Sequence, residues 1–361
     1  MNKKSFAIKT SKGQKNVGFG FPCFIIAEMS ANHEQDYDQA VAIIKAAAAA
    51  GADAVKLQTY TADTLTIDSD QEWFQVDGKD NPESWKNQSF YELYQKAYTP
   101  WEWHADLQKL AHELGLIFFS TPFDNSAVDF LEQLQVPCYK IASYEATDIP
   151  LLKKVAATCK PVILSVGFAS LEEIELALKT LKDNGAKDVA LLHCTASYSL
   201  EPKVENTHLA TMLDLADRFN VVVGFSDNMG GIEVPALAAA KGASIIEKHL
   251  VINHDGKALD NTFSLDQKEF AKMVEKIREQ EKVMGNISYG PRTKQEEGNK
   301  RFRRSLFAVQ DIKKGEPFTP NNVRVIRPAN GLPPKDYEKV LTKMAKSDIR
   351  RGTPLSWDLI K

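Results

Sequence analysis

Eight short apolar runs recur along the chain, and nearly every one breaks into polar or ionisable residues at its C-terminal end. Amphipathic segments of helical period separate most of these runs. Parallel strands need such crossovers, and eight strand–helix units close into a barrel whose active site opens where the strands end. The pattern predicts a TIM (β/α)8 barrel with strands at 24–30, 54–60, 116–122, 138–144, 161–167, 189–195, 221–227 and 244–250.

Apolar residues at helical spacing predict the helices between these strands. One of them follows Ser170, an N-cap residue, and Glu173 three positions later completes the pattern of a capping box. The predicted helices cover 37–50, 100–114, 151–158, 171–181, 209–219, 234–241 and 267–284. The segment 61–99 is far longer than an ordinary strand–helix loop, so we expect a lid or a substrate wall at the catalytic face.

The pattern changes after residue 284. A polar and charged stretch at 286–304 predicts a linker, and 305–361 combines short strands with many turns, which predicts a small second domain. We therefore expect a barrel domain at 1–285, a linker at 286–304 and a C-terminal domain at 305–361. A domain this small gains stability by packing against another surface.

The composition of the chain argues against several classes of function. The chain has 361 residues, 43% of them hydrophobic, and a net charge of −3, which argues against a nucleic-acid partner. Its basic start lacks an apolar stretch behind it, and no run reaches the length of a membrane helix. Four cysteines without CxxC or zinc-like spacing favour free thiols in a reducing compartment. We expect a cytoplasmic protein with no membrane or nucleic-acid contact.

Charged residues stand late in the predicted strands, where they would meet at the barrel mouth. Side chains on a strand alternate between faces, so Lys56 and Gln58 point the same way, as do Glu28 and Ser30. Comparably late positions belong to Lys140, His193, Thr195, Glu247 and His249. A buried charge is expensive unless it is paired, so several of them converging on one mouth predict a polar ligand.

Two chemistries fit this set of residues. Two lysines with serine and threonine hydroxyls suit a phosphate that has a carboxylate nearby. The hydroxyls are those of Thr121, Ser143, Ser165 and Ser226. Alternatively, Lys56 or Lys140 could form a Schiff base, as in lysine aldolases on this fold. His249 or His193 could bind a divalent metal or hydrogen-bond a substrate oxygen.

Nine motifs in order resemble the sialic-acid synthase family. They are IIAEMSANH (25–33), AGADAVKLQTYT (50–61), FSTPFD (119–124), YKIASYE (139–145), LLHCTASY (191–198), GFSD (224–227), IIEKH (245–249), DIKKGE (311–316) and RPANG (327–331). Members of this family join a TIM barrel to a C-terminal SAF (antifreeze-like) domain. The segments at 91–104, 140–146 and 263–266 look most like the pseudaminic acid synthase branch.

The resemblance implies a reaction between phosphoenolpyruvate and the open-chain aldehyde of an acetamido sugar, with loss of phosphate through C–O cleavage. For this branch the sugar is 2,4-diacetamido-2,4,6-trideoxy-L-altrose. The family forms no Schiff base, so the resemblance favours anion binding by the lysines. The alternatives are N-acetylneuraminate or legionaminate synthesis, a lysine aldolase, or a sugar-binding protein without catalysis.

The resemblance also implies roles for individual residues. The phosphoenolpyruvate-binding residues would be Lys56, Thr121, Lys140, Ser143, Ser165 and Ser226. Glu28 would face the reacting carbons, Glu145 would position or deprotonate water, and Tyr198 would join the catalytic set and touch the sugar. Gln58 and Asp260 would contact the sugar as well.

The same resemblance implies a metal site and a second subunit. A divalent metal, Mn²⁺ or Mg²⁺, would be held by His249 and the residue at 228, where the family has histidine and this chain has Asn228. Asparagine is a weaker donor than imidazole, so the metal is held more loosely or Asp227 helps. Arg327 matches an arginine that the SAF domain inserts over the barrel of a second subunit, which implies a domain-swapped homodimer.

Overall fold

The computed structural model describes residues 4–10, 13–76, 83–199, 203–254 and 258–361. Clustering of its contacts divides the chain into two compact units, Met1–Gly285 and Asn286–Lys361. Each unit has its own hydrophobic core. Within the described residues, no helix combines the length and apolar character needed to cross a membrane.

Unit 1 is a closed parallel barrel of eight strands, as predicted. All eight apolar runs form its strands, and the last strand, Ile245–His249, pairs with the first, Phe24–Glu28, to close the ring. The strands are β3 (Phe24–Glu28), β4 (Ala54–Thr59), β5 (Ile117–Pro122), β6 (Tyr139–Ile141), β7 (Val162–Ser165), β8 (Val189–Ser199), β9 (Val222–Met229) and β10 (Ile245–His249). They are buried on both faces, which is why their sequences show continuous apolar runs.

The helices surround this barrel. Those that follow the strands are α1 (Tyr37–Ala49), α4 (His104–Glu113), α5 (Asn125–Gln133), α6 (Ile149–Ala156), α7 (Leu171–Asp183), α8 (Ala210–Phe219), α9 (Glu233–Ala240) and α10 (Gln267–Met284). The Ser170–Glu173 capping box forms as predicted. Helix α5 was not among the predicted helices. Asp124 caps it by accepting hydrogen bonds from Ser126 N and Ala127 N.

An N-terminal hairpin precedes the barrel, and the sequence analysis missed it. Strands β1 (Ser5–Thr10) and β2 (Gly13–Gly18) pair antiparallel. Phe6, Ile8 and Val17 join the core of the barrel. The Lys15 ammonium pairs with Asp53, which stands directly before strand β4, at 2.6 Å. The hairpin therefore lies at the N-terminal end of the barrel, opposite the strand ends that carry the polar residues.

The segment 61–99 is partly helical. It contains α2 (Ala62–Leu65) and α3 (Phe90–Ala97), and each begins with a capping box. Short 3-10 turns occur at Glu72–Phe74 and Glu83–Trp85. This local order shows that the described part of the segment is a folded element of the unit rather than a plain loop.

Unit 2 begins with α11 (Lys294–Gly298) and a 3-10 turn at Asn299–Phe302, so the stretch predicted as a linker has local helical structure. Strands β11 (Ser305–Ala308) and β12 (Val323–Ile326) pair antiparallel, and α12 (Tyr337–Leu341) follows. Nine buried residues, among them Leu306 and Phe318, form its small core.

Candidate active site

A cavity of about 460 Å³ opens at the C-terminal ends of the barrel strands. That volume lies in the range of small-molecule sites. The lining includes ten of the residues predicted from the sequence: Lys56, Gln58, Thr121, Lys140, Ser143, Glu145, Ser165, Ser226, His249 and Asp260. Asn228 lines it as well. Period-two alternation explains the grouping, because Lys56 and Gln58 share one face of β4, and Glu247 and His249 share one face of β10.

Three buried charges, Lys56, Lys140 and Glu247, line the floor of this cavity, and the buried Glu28 supports the floor through its pair with Lys56. The Lys56 ammonium pairs with the Glu28 carboxylate and lies 3.9 Å from Glu247 Oε1. The Lys140 ammonium lies 3.7 Å from the same Glu247 oxygen. Glu247 therefore stands between the two lysines. Glu247 was predicted to stand late in its strand but was assigned no role, although its position two residues before His249 was the available signal.

Burial and charge act against each other in these four groups. Burial raises the pKa of Glu28 to about 7 despite the attraction of Lys56. Burial would also raise the pKa of Glu247, but Lys140 and Lys56 outweigh it and the pKa falls. Burial lowers the pKa of Lys140 in spite of Glu247. The floor therefore has one firmly ionised carboxylate, Glu247, and one carboxyl, Glu28, that can hold or release a proton near neutral pH.

The four predicted hydroxyls surround the lysines. Thr121 Oγ1 accepts from Lys56 Nζ at 3.1 Å, and Ser143 Oγ accepts from the Gly167 N–H at 3.1 Å. Ser226 Oγ donates to Glu247 Oε1 at 3.0 Å. Ser165 Oγ has no hydrogen-bond partner among the described residues. Three hydroxyls are thus positioned by protein partners, and the fourth has its hydrogen-bonding capacity unused.

Other buried polar atoms at this mouth are also unsatisfied. Within the described parts of the chain, Glu145 Oε2, Glu247 Oε2 and His249 Nδ1 make no hydrogen bond. Buried polar atoms almost always have a partner, so each exception needs an explanation. Their clustering at one cavity indicates a site prepared for a polar ligand.

Glu145 lies in the 3-10 turn Ser143–Glu145, which follows strand β6. Burial raises the pKa of its carboxyl to about 7, although the nearby Lys140 opposes the shift. A carboxyl with such a pKa can accept a proton from water at neutral pH and release it again.

A second polar cluster joins three barrel segments above the floor. Gln58 Nε2 donates to Ser30 Oγ at 2.8 Å and to Glu28 Oε1 at 3.2 Å. Ser30 Oγ donates to Asp260 Oδ2 at 2.5 Å. Asp260 lies 3.7 Å from His249 Nδ1 across the same cavity. Gln58 and Asp260, both predicted to touch the sugar, are thus linked through Ser30, a residue that was predicted to share the face of Glu28 but was given no role.

The 61–99 segment forms an apolar wall on one side of the cavity. The wall residues it supplies are Leu65, Val76, Trp85, Phe90, Leu93, Tyr94 and Ala97. Tyr60 and Phe123 continue this wall, and their rings meet edge-to-face at 5.1 Å. The Trp85 indole donates to the Leu259 carbonyl at 3.1 Å, which ties the segment to the loop that carries Asp260. No alternating or helical pattern in the sequence distinguished these residues.

Two donors of different kinds fit a divalent metal. His249 is buried and its free Nδ1 can ligate, because burial keeps the ring neutral by lowering its pKa well below the ordinary value. Asn228 donates through Nδ2 to Cys194 Sγ at 3.5 Å, which leaves its amide oxygen available. A cluster of three His, Cys, Asp or Glu ligands occurs among the described residues only at the surface, at His254, Asp266 and Glu269. A metal at His249 would therefore need oxygens from the substrates.

Three residues proposed at the mouth face elsewhere. His193 Nε2 contacts the Thr207 carbonyl at 2.6 Å, so the prediction that it binds a metal or substrate oxygen is wrong. Asp227 pairs with Lys248 at 2.9 Å and accepts from Thr195, and both lie away from the cavity lining. The expectations that Asp227 assists a metal and that Thr195 faces the mouth are therefore wrong as well. Successive side chains on a strand point to opposite faces. Cys194, Ser226 and Asn228 point into the cavity, so their direct neighbours in the sequence point away from it.

Three further predicted residues are not part of the described cavity lining. Glu28 is buried and pairs with Lys56 but does not line the cavity. Tyr198 is in strand β8, in the stretch whose side chains lie outside the described residues. Arg327 belongs to unit 2, where it is exposed at the end of β12.

Comparison with known proteins identifies the family. The model of the NeuB family matches residues 43–289, and that of the SAF domain matches 303–361. Pseudaminic acid synthase of Helicobacter pylori is 42% identical over 94% of this chain and 98% of that protein. N,N'-diacetyllegionaminic acid synthase of Legionella pneumophila is 35% identical over 97% of this chain and 98% of that protein. The structure of the Bacillus subtilis spore coat polysaccharide biosynthesis protein spsE is 34% identical, covers 99% of both chains and has a TM-score of 0.66.

A TIM barrel with a lysine- and hydroxyl-lined mouth, joined in one chain to a SAF domain, defines an enzyme of the sialic acid synthase class. The chain belongs to the NeuB family. It is a nonulosonic acid synthase and thus a transferase, which confirms the family resemblance seen in its motifs.

Proposed function

We propose that this enzyme is a pseudaminic acid synthase. It would condense phosphoenolpyruvate with 2,4-diacetamido-2,4,6-trideoxy-L-altrose and water. Carbon 3 of the enol phosphate forms a bond to the aldehyde carbon, water adds to carbon 2, and the tetrahedral product loses phosphate by C–O cleavage. One observation carries the proposal: two buried lysines and a set of hydroxyls meet in the cavity of a chain 42% identical to the Helicobacter pylori synthase.

The charged floor suits phosphoenolpyruvate. Lys56 and Lys140 would face its phosphate and carboxylate, and the hydroxyls of Thr121, Ser143, Ser165 and Ser226 would orient their oxygens. Proton uptake by Glu28, whose pKa lies at about 7, would leave the floor more positive when the anion arrives. Binding of the anion and protonation of Glu28 would then support each other.

Glu145 is the proposed base for the water. Its buried Oε2 has no hydrogen-bond partner among the described residues, and its pKa of about 7 suits proton transfer at neutral pH. Glu28 would face the reacting carbons beside Lys56, and Tyr198 completes the proposed catalytic set.

The wall and the polar cluster together suit the proposed sugar. Gln58 and Asp260 offer hydrogen bonds to its hydroxyl and amide groups. The apolar wall from the 61–99 segment offers surface to two acetamido methyls and to the C6 methyl. Because apolar contact stabilises methyl groups and leaves added hydroxyls unpaired, this wall favours a deoxy sugar over a fully hydroxylated one.

A divalent metal fits the donors of His249 and Asn228. Mn²⁺ or Mg²⁺ bound there would polarise the aldehyde oxygen of the sugar. The protein itself would supply one neutral imidazole nitrogen and one amide oxygen, and the amide oxygen suits both ions.

We further propose a domain-swapped homodimer in the cytoplasm. Arg327 is exposed at the RPANG turn of unit 2, and its guanidinium is suited to bind carboxylate or sugar oxygens of a second subunit's site.

A panel of acetamido sugars, each mixed with phosphoenolpyruvate and read out by phosphate release with and without EDTA, tests these proposals. We expect the largest kcat/KM with the 2,4,6-trideoxy-L-altrose derivative, loss of turnover in EDTA, and recovery with Mn²⁺ or Mg²⁺. A larger kcat/KM with the legionaminate or N-acetylneuraminate precursor would contradict the proposed specificity. The 35% identity to the Legionella synthase makes legionaminate synthesis the second candidate.

A further inference from the structure

Ser30, which lines the cavity, has a left-handed backbone conformation. It lies two residues beyond the end of strand β3 and is buried, with φ of 46°. This left-handed region favours glycine, and a residue with a side chain is strained there. Such strain persists when the surrounding structure holds it in place, and it concentrates at functional sites.

The left-handed turn directs both the backbone and the side chain of this segment at site residues. The Ser30 N–H donates to Glu28 Oε1 at 3.1 Å. The Ser30 hydroxyl donates to Asp260 at 2.5 Å and accepts from Gln58 at 2.8 Å. Glycine at this position would retain the amide contact to Glu28 and lose only the hydroxyl contacts.

We propose that the Ser30 hydroxyl is a positioning residue for the acceptor sugar. It holds the Gln58 amide and the Asp260 carboxylate in a fixed relation on the sugar side of the cavity. Among the described residues, the hydrogen bonds of Ser30 reach neither lysine of the floor nor the four hydroxyls beside them. The inference rests on the proposed function and adds a residue that sets sugar affinity separately from phosphoenolpyruvate affinity.

Two substitutions separate the hydroxyl from the backbone strain. Ser30→Gly removes the hydroxyl and relieves the left-handed strain, whereas Ser30→Ala removes the hydroxyl and retains the strain. The matched control is Gln135→Gly, since Gln135 is exposed, has φ of 55° and lies in the loop between α5 and β6, away from the cavity lining.

Steady-state kinetics with each substrate varied in turn, together with calorimetric titration of the sugar, measure the effect. Both Ser30 variants should raise the sugar KM and Kd about tenfold, the expected loss for a charge-assisted hydrogen bond. The KM for phosphoenolpyruvate should stay within about twofold. The thermal midpoint of Ser30→Gly should not fall below that of Ser30→Ala, and Gln135→Gly should change neither KM.

Three results would overturn the inference. Unchanged sugar Kd in both variants would remove the positioning role, and an equal rise in both KM values with a lowered midpoint in Ser30→Gly would make Ser30 structural. A rise in the phosphoenolpyruvate KM alone would assign it to the other substrate. If the wild-type enzyme neither turns over nor binds any acetamido sugar, the proposed function itself falls, a result visible before any variant is made.

Discussion

The two ends of the barrel both contain buried or half-buried charges, but only one end satisfies them. At the N-terminal end, Asp53 accepts from Lys15 at 2.6 Å, from the Ile25 N–H at 2.9 Å and from Arg278 at 2.8 Å. Arg278 in turn contacts Glu281 at 3.0 Å. At the C-terminal end, by contrast, Ser165, Glu145, Glu247 and His249 each retain an unsatisfied atom among the described residues.

This difference separates structural charge from functional charge. The N-terminal network ties the hairpin, the strand starts and helix α10 together, so its contacts are complete without a ligand. The C-terminal network places two lysines around one carboxylate and leaves hydrogen-bonding capacity unused. Charge removal at the N-terminal end should therefore lower stability, and charge removal at the C-terminal end should lower activity.

The largest loss of activity is expected from a substitution in the cavity at the C-terminal end of the barrel. Lys140→Met removes the charge and retains the apolar stem, and phosphate release should fall about 10³-fold or more because the anion loses a desolvated cation. The matched control is Lys15→Met in the N-terminal network, which should retain wild-type kcat/KM. Near-normal turnover by Lys140→Met in a phosphate-release assay would refute the assigned role.

A substitution in the N-terminal network should lower stability and leave activity unchanged. Arg278→Met should lower the free energy of unfolding by about 2 kcal/mol, because Asp53 and Glu281 lose a partly buried partner. Its kcat/KM should not change. Arg218→Met, which removes an exposed pair with Asp214, is the control and should leave the thermal midpoint where it was. A loss of activity without loss of stability in Arg278→Met would contradict the comparison.

A smaller effect should depend on pH. The pKa of Glu145 is about 7 in the folded protein and near its ordinary 4.5 when unfolded, so the folded state binds more protons between these values. This carboxyl therefore destabilises the fold as pH rises through 7. Glu145→Gln should be inactive yet more stable at pH 8, by on the order of 2 kcal/mol, with little gain at pH 5.

Thermal unfolding at several pH values measures this difference. Exposed Glu275 on α10, outside the cavity lining, provides the control, because Glu275→Gln makes the same chemical change at the surface. A stability gain in Glu145→Gln that does not grow with pH would show that its carboxyl is not held protonated by burial.

The smallest expected effect concerns the metal. Asn228→His replaces an amide oxygen by an imidazole nitrogen, and the Kd for Mn²⁺ measured by calorimetry should tighten about tenfold. Asn286→His, at an exposed position outside the cavity lining, serves as the control. An unchanged Kd in Asn228→His would exclude position 228 from the metal site.

The sequence predicted the barrel strands well because their apolar runs end in polar residues. It missed helix α5, which is short and lies between two closely spaced strands. It also missed the N-terminal hairpin, because β2 (GQKNVG) is polar and shows no alternation. The hairpin becomes visible only through tertiary contacts such as the Lys15–Asp53 pair.

The site was predictable where a strand carried an unambiguous polar pair. The alternation of side chains along a strand was enough to predict that Lys56 and Gln58 share one face. The same alternation predicts a shared face for Glu247 and His249. His193 was misplaced because strand β8 is apolar on both faces, so the sequence does not show which residues point inward. The role of Ser30 depends on a backbone conformation and on Asp260, 230 positions away, neither of which a local pattern reveals.

The described wall residues at 61–99 lie in one stretch of chain between strand β4 and helix α4, outside the strand ladders that close the ring. A genetic exchange confined to that stretch would replace, in a single event, much of the surface that we propose meets the sugar. Such an exchange would leave in place the lysines that we propose bind the three-carbon donor, because Lys56 and Lys140 lie on the barrel strands.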